Sequence, residues 1–228
     1  MATLPVISHG LSGGAVQVLT STVNAHTCIV GSGGQVKCFG KSVVNTPSGD
    51  FNGVLGRCYA RTGSGGPDYS RSASLCWDAP SAYPSDRFGI LPTDMSTALA
   101  ATPLPGLVTA PATGLTEPAS VGGQHFCAIL RSFGGVACWG ANSYGQLGND
   151  QITHLGAASN DFDAFQISMP ATLGFVPLQL ALGSNHSCSL MSDNTVRCWG
   201  AGSVNQNGHG SDTRDVLGSA TSTIYNGM

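Results

Sequence analysis

Histidine and cysteine recur together at a regular spacing along the 228-residue chain. In three segments a His lies two residues before a Cys, and a second Cys follows after nine or ten intervening residues. The three sets are His26, Cys28 and Cys38; His125, Cys127 and Cys138; and His186, Cys188 and Cys198. Thiolates and imidazoles are zinc ligands, whereas paired thiols form disulfides. Two kinds of site therefore compete for the same residues.

The spacing of the cysteines favours disulfides over zinc. Structural zinc sites usually take their cysteines from a short C-x₂₋₄-C spacing, which these segments lack. Each pair instead flanks a turn rich in Gly, Ser, Asn or Asp between short apolar runs, as in a β-hairpin. Symmetric pairing about the turn brings the Cβ atoms to about 4.5–5.5 Å, close to what a disulfide requires. We predict the bridges Cys28–Cys38, Cys127–Cys138 and Cys188–Cys198, the second with a bulged turn because it holds one residue more.

Alternatives to these disulfides stay open. His26 and Cys28 would share one face of a strand, so a metal site remains possible in principle, as do free thiols. Equivalent histidines on separate units would lie too far apart to share one metal ion at about 2.1 Å. We therefore predict no metal, and a structural role for each recurring His, such as a ring N–H bonded to a carbonyl of the neighbouring unit.

A fourth, degenerate copy runs from Cys58 to Cys76 and Trp77, and by elimination its two cysteines pair. The second cysteine of successive copies advances by 38, 62 and 60 residues, which brackets one four-stranded propeller blade of about 40–50 residues plus inserted loops. We predict a single domain, 1–228, with units near 20–50, 51–90, 119–150 and 180–210. Insert loops are expected at 79–118 and 149–182.

The composition indicates an all-β fold. The chain contains 32 Gly and 12 Pro, its apolar runs are short, and helical periodicity is hard to find. Seven of the prolines lie between residues 77 and 121. Because proline withholds a hydrogen-bond donor from a sheet, this stretch is predicted to be a long surface loop, partly polyproline-like.

The charge balance excludes several classes of partner. Only 9% of the residues are charged, against about 25% in an ordinary soluble domain, and the net charge is -3. Such a surface cannot neutralise a phosphate backbone, so no nucleic-acid partner is expected. No apolar stretch approaches the ~18 residues of a membrane span, and residues 1–20 lack the basic start and apolar run of a signal peptide. An export signal is therefore expected to have been removed or to lie outside this chain.

Two catalytic motifs fail on their context. Residues 10–14 fit G-x-S-x-G, but no clear strand precedes them and no helix follows. The segment Gly40-Lys41-Ser42 ends like a phosphate-binding loop, but Gln35 stands where that loop needs Gly. We predict no catalytic residue, no cofactor and no enzyme activity.

The third copy carries a family resemblance. After Cys138 it continues Trp139-Gly140-Ala141-Asn142-Ser143-Tyr144-Gly145-Gln146-Leu147-Gly148. This resembles the repeat of the regulator of chromosome condensation family, which ends in Trp-Gly-x-Asn-x-x-Gly-Gln-Leu-Gly. The copies that begin at His26 and His186 match its first half, although Phe39 replaces the Trp in the former and residues 205–208 only echo Gly-Gln-Leu-Gly in the latter.

The resemblance implies a β-propeller, usually of seven blades. Four units are too few, so we expect an open or incomplete propeller, within a larger assembly or a longer parent chain. The paired cysteines are similar to those of secreted bacterial members and of plant crinkly-type receptor ectodomains. Cytosolic members lack them, which counts against the guanine-nucleotide exchange activity of the family's founding member.

Other residues are candidates for recognition or modification. Trp77, Trp139 and Trp199 recur after the second cysteine and are expected to pack on the disulfide or between blades. Asn185 heads the sequon Asn185-His186-Ser187 and is a candidate glycosylation site, so glycans are possible partners. The candidate binding residues are Tyr59, Arg61, Tyr69 and Arg71.

These observations predict an extracytoplasmic, disulfide-stapled repeat protein at the cell surface or outside the cell. Its expected role is structural or adhesive, built by self-assembly or with other protein subunits into a filament or surface layer. The alternative is a soluble recognition propeller, such as a receptor ectodomain or a secreted inhibitor. Nucleotide exchange is the remote alternative.

Overall fold

A computed structural model describes residues 9–11, 13–41, 43–47, 49–52, 60–61, 67–68, 87–88, 101–102, 104, 108, 119–130, 135–149, 151–156, 166–167 and 176–208. Within these ranges all regular structure is β. The strands are β1 Ala15–Thr20, β2 His26–Gly31, β3 Val36–Lys41, β4 Val43–Thr46, β5 Gly49–Asn52, β6 Ala60–Arg61, β7 Pro67–Asp68, β8 Arg87–Phe88, β9 Ala119–Val121, β10 His125–Ile129, β11 Val136–Gly140, β12 Gln166–Ile167, β13 Pro177–Leu182, β14 His186–Met191 and β15 Val196–Gly200.

The strands form three propeller-like blades, which do not close into a ring in the part of the chain that is described. Blade A has the strand order β1-β2-β3-β8, blade B the order β12-β11-β10-β9, and blade C the order β13-β14-β15. All pairings within the blades are antiparallel. Two further hairpins, β4-β5 and β6-β7, lie between β3 and β8 in the chain. The predicted all-β, open or incomplete propeller is therefore confirmed.

Each blade is built around the predicted disulfide-linked hairpin. The bridges Cys28–Cys38, Cys127–Cys138 and Cys188–Cys198 all join directly opposed residues, and each has a Cα–Cα distance of 4.1 Å. The neighbouring pairs hold the backbone hydrogen bonds, so the cysteines occupy non-hydrogen-bonded positions, where opposed side chains lie closest. Cys58 and Cys76 lie outside the described residues, so their pairing stays a prediction.

The hairpin turns explain the alternation of Gly and Asn in the repeat. The third turn residue is Gly34 in blade A and Asn194 in blade C, with φ of 81° and 64°. This left-handed conformation is open to Gly and tolerated by Asn. In blade B the register runs without a shift to the Leu130–Gly135 hydrogen bond. Residues 131–134 lie outside the described residues, so the bulged turn stays a prediction.

The two predicted insert loops contain parts of the blades. β8 lies within 79–118 and pairs with β3, and β12 lies within 149–182 and pairs with β11. Thr102 and Val108 are buried, and their amides donate to the carbonyls of Val36 and Gly34. The prediction of a surface loop is therefore wrong for these residues. Leu104 and Val108 are apolar and pack on the core, although prolines are frequent in this part of the sequence.

The predicted second unit, 51–90, falls mostly outside the described residues. Its described part comprises 51–52, the short strands β6 and β7, and β8, which completes blade A. Blade A and blade B contact each other directly through β1 and β9. Three blades therefore follow one another in the order A, B, C.

Candidate interface: the joints between blades

The joint between blades B and C is polar and fully buried. The carbonyl oxygen of Gln146 accepts hydrogen bonds from Trp199 Nε1 at 2.9 Å and from Ser187 Oγ at 2.8 Å. His125 Nε2 lies 2.8 Å from the same Ser187 Oγ. Because the serine proton goes to the carbonyl, the serine oxygen accepts the N–H of His125, which places the histidine proton on Nε2. A relay of three groups thus links two blades.

Burial keeps this histidine neutral. Desolvation, with smaller contributions from the charged forms of His186 and His26, lowers the pKa of His125 to about 3. Among the described residues its Nδ1 has no hydrogen-bond partner. His125 makes the inter-blade contact that its recurrence predicts, but it bonds a hydroxyl rather than a carbonyl. Burial thus leaves His125 without a proton near neutral pH, so the relay is suited to holding blades together.

The joint between blades A and B uses different groups. Gln17 Nε2 donates to the Ala119 carbonyl at 3.0 Å, and Asn24 Nδ2 donates to the Gly123 carbonyl at 2.6 Å. The position of Ser187 is held by Phe126, which has no hydroxyl and stacks on Trp139 with ring centroids 4.3 Å apart.

His26 is the residue of this joint that corresponds to His125. Neither of its ring nitrogens has a hydrogen-bond partner among the described residues. Burial lowers the pKa of His26 to about 4. In a protein interior, both polar atoms of a buried ring are rarely left without a hydrogen bond.

A compact turn in blade B positions the acceptor carbonyl. Asn142 is fully buried, and its Nδ2 donates to Asn149 Oδ1 and to the carbonyls of Gln151 and Thr153 at 2.8–3.1 Å. Its Oδ1 accepts the Leu147 amide at 2.9 Å. One buried amide side chain therefore fixes both sides of the turn that carries Gln146.

Blade C repeats the turn with the asparagine moved. Gly202 stands at the position of Asn142, and Asn207 stands at the position of Leu147. A Cβ added at Gly202 would lie 2.5 Å from Asn207 Nδ2, so the moved side chain fills the space that the first one leaves. The turn hydrogen bonds are kept, including the Val204 amide to Gln206 Oε1 at 2.9 Å. Residues 205–208 thus form the full turn that the sequence only echoes.

The glycine after the second cysteine and aromatic residue is required by close approach. Gly140 has a φ of 114°, and a Cβ there would lie 2.7 Å from the Cα of His125. Gly40 and Gly200 occupy the same place in the other blades with φ of 106° and 99°. Because glycine has no Cβ, its strand can lie this close to the backbone of the recurring histidine, with which it pairs.

The other predicted site residues are placed as follows. Trp139 and Trp199 are fully buried between or within blades, as predicted, while Trp77 lies outside the described residues. Tyr59, Tyr69 and Arg71 also lie outside them, and Arg61 is described only by its backbone in β6. The binding role of these four residues stays a prediction.

The sequon at Asn185 sits at a joint. Asn185 is half-buried in the bend before β14, and its carbonyl accepts the Ala201 amide. The sequon hydroxyl belongs to Ser187, which is fully buried in the His125 relay. Glycosylation of Asn185 stays a prediction, and a transferase would have to read this hydroxyl before the joint forms.

Metal-ligating side chains are not grouped in the described residues. No cluster of three or more His, Cys, Asp or Glu occurs there that could hold a metal ion. The six described cysteines are all bridged. Within the same ranges, no helix has the length and apolar character needed to cross a membrane.

The sequence reasoning missed the relay partners. Gln146 acts through its backbone carbonyl, which side-chain type does not reveal. Ser187 could have been found from its place in the repeat, directly after the recurring His. This position is Thr27, Phe126 or Ser187, and in each blade it pairs with the aromatic residue of the next strand.

A family comparison matches the two best-formed blades. Residues 119–146 and 178–208 match the regulator of chromosome condensation (RCC1) repeat. These two segments are therefore similar to the RCC1 repeat. The matched ranges begin at or near the first strand of blades B and C and include the hairpin and its disulfide. A comparison with curated protein sequences finds no significant match.

Several solved structures are similar to this chain. Yeast RCC1 (Prp20), in its complex with Kap60, is 17% identical over 87% of this chain and 31% of that chain, with a TM-score of 0.44. Human WBSCR16 is 17% identical over 92% and 52%, with a TM-score of 0.39. The CRINKLY WD40 ectodomain of the Arabidopsis thaliana receptor kinase ACR4 is 18% identical over 79% and 48%, with a TM-score of 0.25. The chain therefore spans about a third to a half of the length of these proteins.

Proposed function

We propose that this chain is an extracytoplasmic structural module, without catalytic activity, whose disulfide-stapled blades assemble with other protein subunits. The observation that carries the proposal is the combination of three cross-strand disulfides with blade joints that use repeated, buried contacts. A role at the cell surface, in a filament or an adhesive layer, fits such a module.

The disulfides support the location. Thiols stay reduced in the cytosol, whereas bridges within small blades persist in oxidising compartments. Each bridge closes a loop with a sequence separation of 10 or 11 residues, so it contributes a little under ~3 kcal/mol by the chain-entropy model. For a chain with few charges and many glycines this is a large part of a net stability of about 5–15 kcal/mol.

The chemistry of the joints supports a non-catalytic role. Active sites usually place groups with shifted pKa values in clefts that admit a substrate. Here the two histidines with the most strongly lowered pKa values, His26 and His125, are buried at joints between blades. Their shifts arise from packing and leave them neutral.

The test is a thiol count combined with a measurement of size. Intact mass after alkylation, with and without prior reduction, should show all eight thiols blocked until a reductant is added. Light scattering of the non-reduced chain should show association that grows with concentration. Alkylation of unreduced protein would contradict the extracytoplasmic location, and a compact monomer at every concentration would contradict the assembly role.

A further inference from the structure

The first strand of each blade has one side that meets the preceding blade. The residue after the first cysteine is Ala128 in blade B and Ser189 in blade C. Its partner on the first strand is Ala119 in β9 and Leu180 in β13. Both side chains are 0% exposed, because blades A and B cover them. The same position in β1 is Val18, which is 63% exposed. On the same face Ile29 and Lys37 are buried, and the Lys37 ammonium donates to the carbonyls of His9 and Gly10. The blade-receiving face of blade A is therefore open to solvent along β1.

A second position on this side shows the same difference. The residue after the recurring His is Phe126 in blade B and Ser187 in blade C, and both are fully buried against the preceding blade. In blade A it is Thr27, which is only half-buried. Like Ser187, Thr27 has a side-chain hydroxyl, which Phe126 lacks.

The opposite side of blade C shows the complementary exposure. Its His186 is half-buried, whereas the equivalent His125 is fully buried under blade C. Ala181 is exposed at the position of Ser120, whose Oγ accepts the Leu182 amide across the B–C joint at 3.2 Å. Blade C therefore has a blade-presenting face that nothing in the described residues covers.

The presenting face also carries the acceptor turn. Gln206 occupies the place of Gln146, in a turn with the same hydrogen bonds. In the B–C joint the Gln146 carbonyl is the group that receives the blade C hydroxyl. The two ends of the described chain thus carry the two halves of a joint that the molecule already makes once internally.

We propose that these halves join between molecules: blade C of one copy of this chain packs on blade A of a second copy. In this joint the Thr27 hydroxyl takes the part of Ser187, donating to the Gln206 carbonyl and accepting from His186. The inference rests on the proposed assembly role and names its surface and partner.

A second copy fits the faces better than an unrelated partner does. The joint continues the pattern of an established one, and its exposed residues are uncharged. The charged side chain on the receiving face, Lys37, is buried and donates to the carbonyls of His9 and Gly10, so like charges do not meet at the contact. The residues are Val18, Thr20 and Thr27 on the receiving face and Ala181, His186 and Gln206 on the presenting face. In the described residues each copy has three blades, so two copies bring six described blades together, within the range of about 4–8 that closes a propeller. The contact is therefore reciprocal, and the product is a dimer.

The test uses the full chain with its disulfides intact and sedimentation equilibrium over a range of concentrations. The wild type should approach twice the chain mass of 23.1 kDa. Val18→Arg and Ala181→Arg should each weaken association by at least about 100-fold, because a guanidinium would be buried without a partner. Both side chains are exposed in the single chain, so the fold should be retained, as circular dichroism would show.

A matched control separates the joint from general surface charge. Val204→Arg introduces the same side chain at a residue that is 80% exposed. Its equivalent in blade B, Tyr144, stays exposed in the covered joint, so the position lies outside the contact. Association should be unchanged. Thr27→Val, which removes only the hydroxyl, should weaken association by about tenfold.

Mixing the two blocked variants gives the sharpest result. In a mixed dimer of Val18→Arg and Ala181→Arg chains, one joint contains both arginines and the other joint is entirely wild type. An equimolar mixture should therefore form heterodimers, although neither variant associates alone. A wild type that stays monomeric would overturn this inference together with the assembly role. A wild type that assembles regardless of both arginines, or a mixture that fails to associate, would overturn this joint and leave the assembly role standing.

Discussion

The two internal joints of the molecule bury the same register position with different chemistry. Between blades B and C, Ser187 completes a relay from His125 to the Gln146 carbonyl. Between blades A and B, the position holds Phe126, and His26 is buried with no hydrogen-bond partner among the described residues. The difference shows that blade packing accepts either an aromatic or a polar residue at this position. The polar one adds geometric specificity, because each donor must meet one acceptor.

Replacing the aromatic residue should have the largest effect. Phe126→Ala would leave a cavity beside Trp139 and is expected to cost about 3–5 kcal/mol of unfolding free energy. The loss should appear in urea unfolding followed by tryptophan fluorescence, on non-reduced protein. A loss below about 1 kcal/mol would mean that the joint does not depend on this ring. Val23→Ala, at a residue 58% exposed, is a control that should change little.

Acid should weaken both joints through their histidines. The pKa values of His125 and His26 are lowered by burial to about 3 and about 4, from 6.5. Below pH 6.5 the unfolded chain binds protons that the folded chain does not, so the free energy of unfolding falls as the pH falls. From pH 7 to pH 5 the expected loss is about 2 kcal/mol for each histidine.

A substitution separates the two contributions to this pH dependence. His26→Leu removes a buried group without a partner, so stability at pH 7 should change by less than about 1 kcal/mol. The part of the slope between pH 7 and pH 5 that comes from His26, about 2 kcal/mol, should disappear with it. A slope identical to that of the wild type would show that His26 is not buried as the structure places it.

Breaking the relay at its centre should have a smaller effect. Ser187→Ala leaves the N–H of His125 buried without an acceptor and is expected to cost about 1–3 kcal/mol. Thr27→Ser, which keeps the hydroxyl at the half-buried equivalent in blade A, serves as the control. Chemical denaturation at pH 7 measures both. Equal stability of Ser187→Ala and wild type would mean that the relay adds no stability to the joint.

Local features of the sequence were enough for the hairpins. A turn rich in Gly and Asn fixes the register, and the register alone places Cys28 opposite Cys38 and Cys188 opposite Cys198. The same reasoning succeeded for the pair in blade B.

Non-local strand pairing escaped the sequence reasoning. β8 and β12 consist of two residues each, too short to show a periodic pattern, and each joins its blade only because an exposed sheet edge is available. Val108 likewise becomes a core residue through a bridge to Leu130 across the fold. Proline content predicted a loop here, and tertiary packing overrode it for these residues.

The amino-acid sequence by itself determined the three hairpins and their disulfides, because each depends on spacing within a short segment. Only the tertiary structure decided what the recurring histidines contact and where the asparagine side chain of the blade C turn packs. It also decided that Val18 is exposed, whereas Ala119 and Leu180 at the same position of the other blades are buried. These depend on which blade lies beside which. Contacts between blades join residues far apart in the chain, so their partners cannot be identified from local spacing.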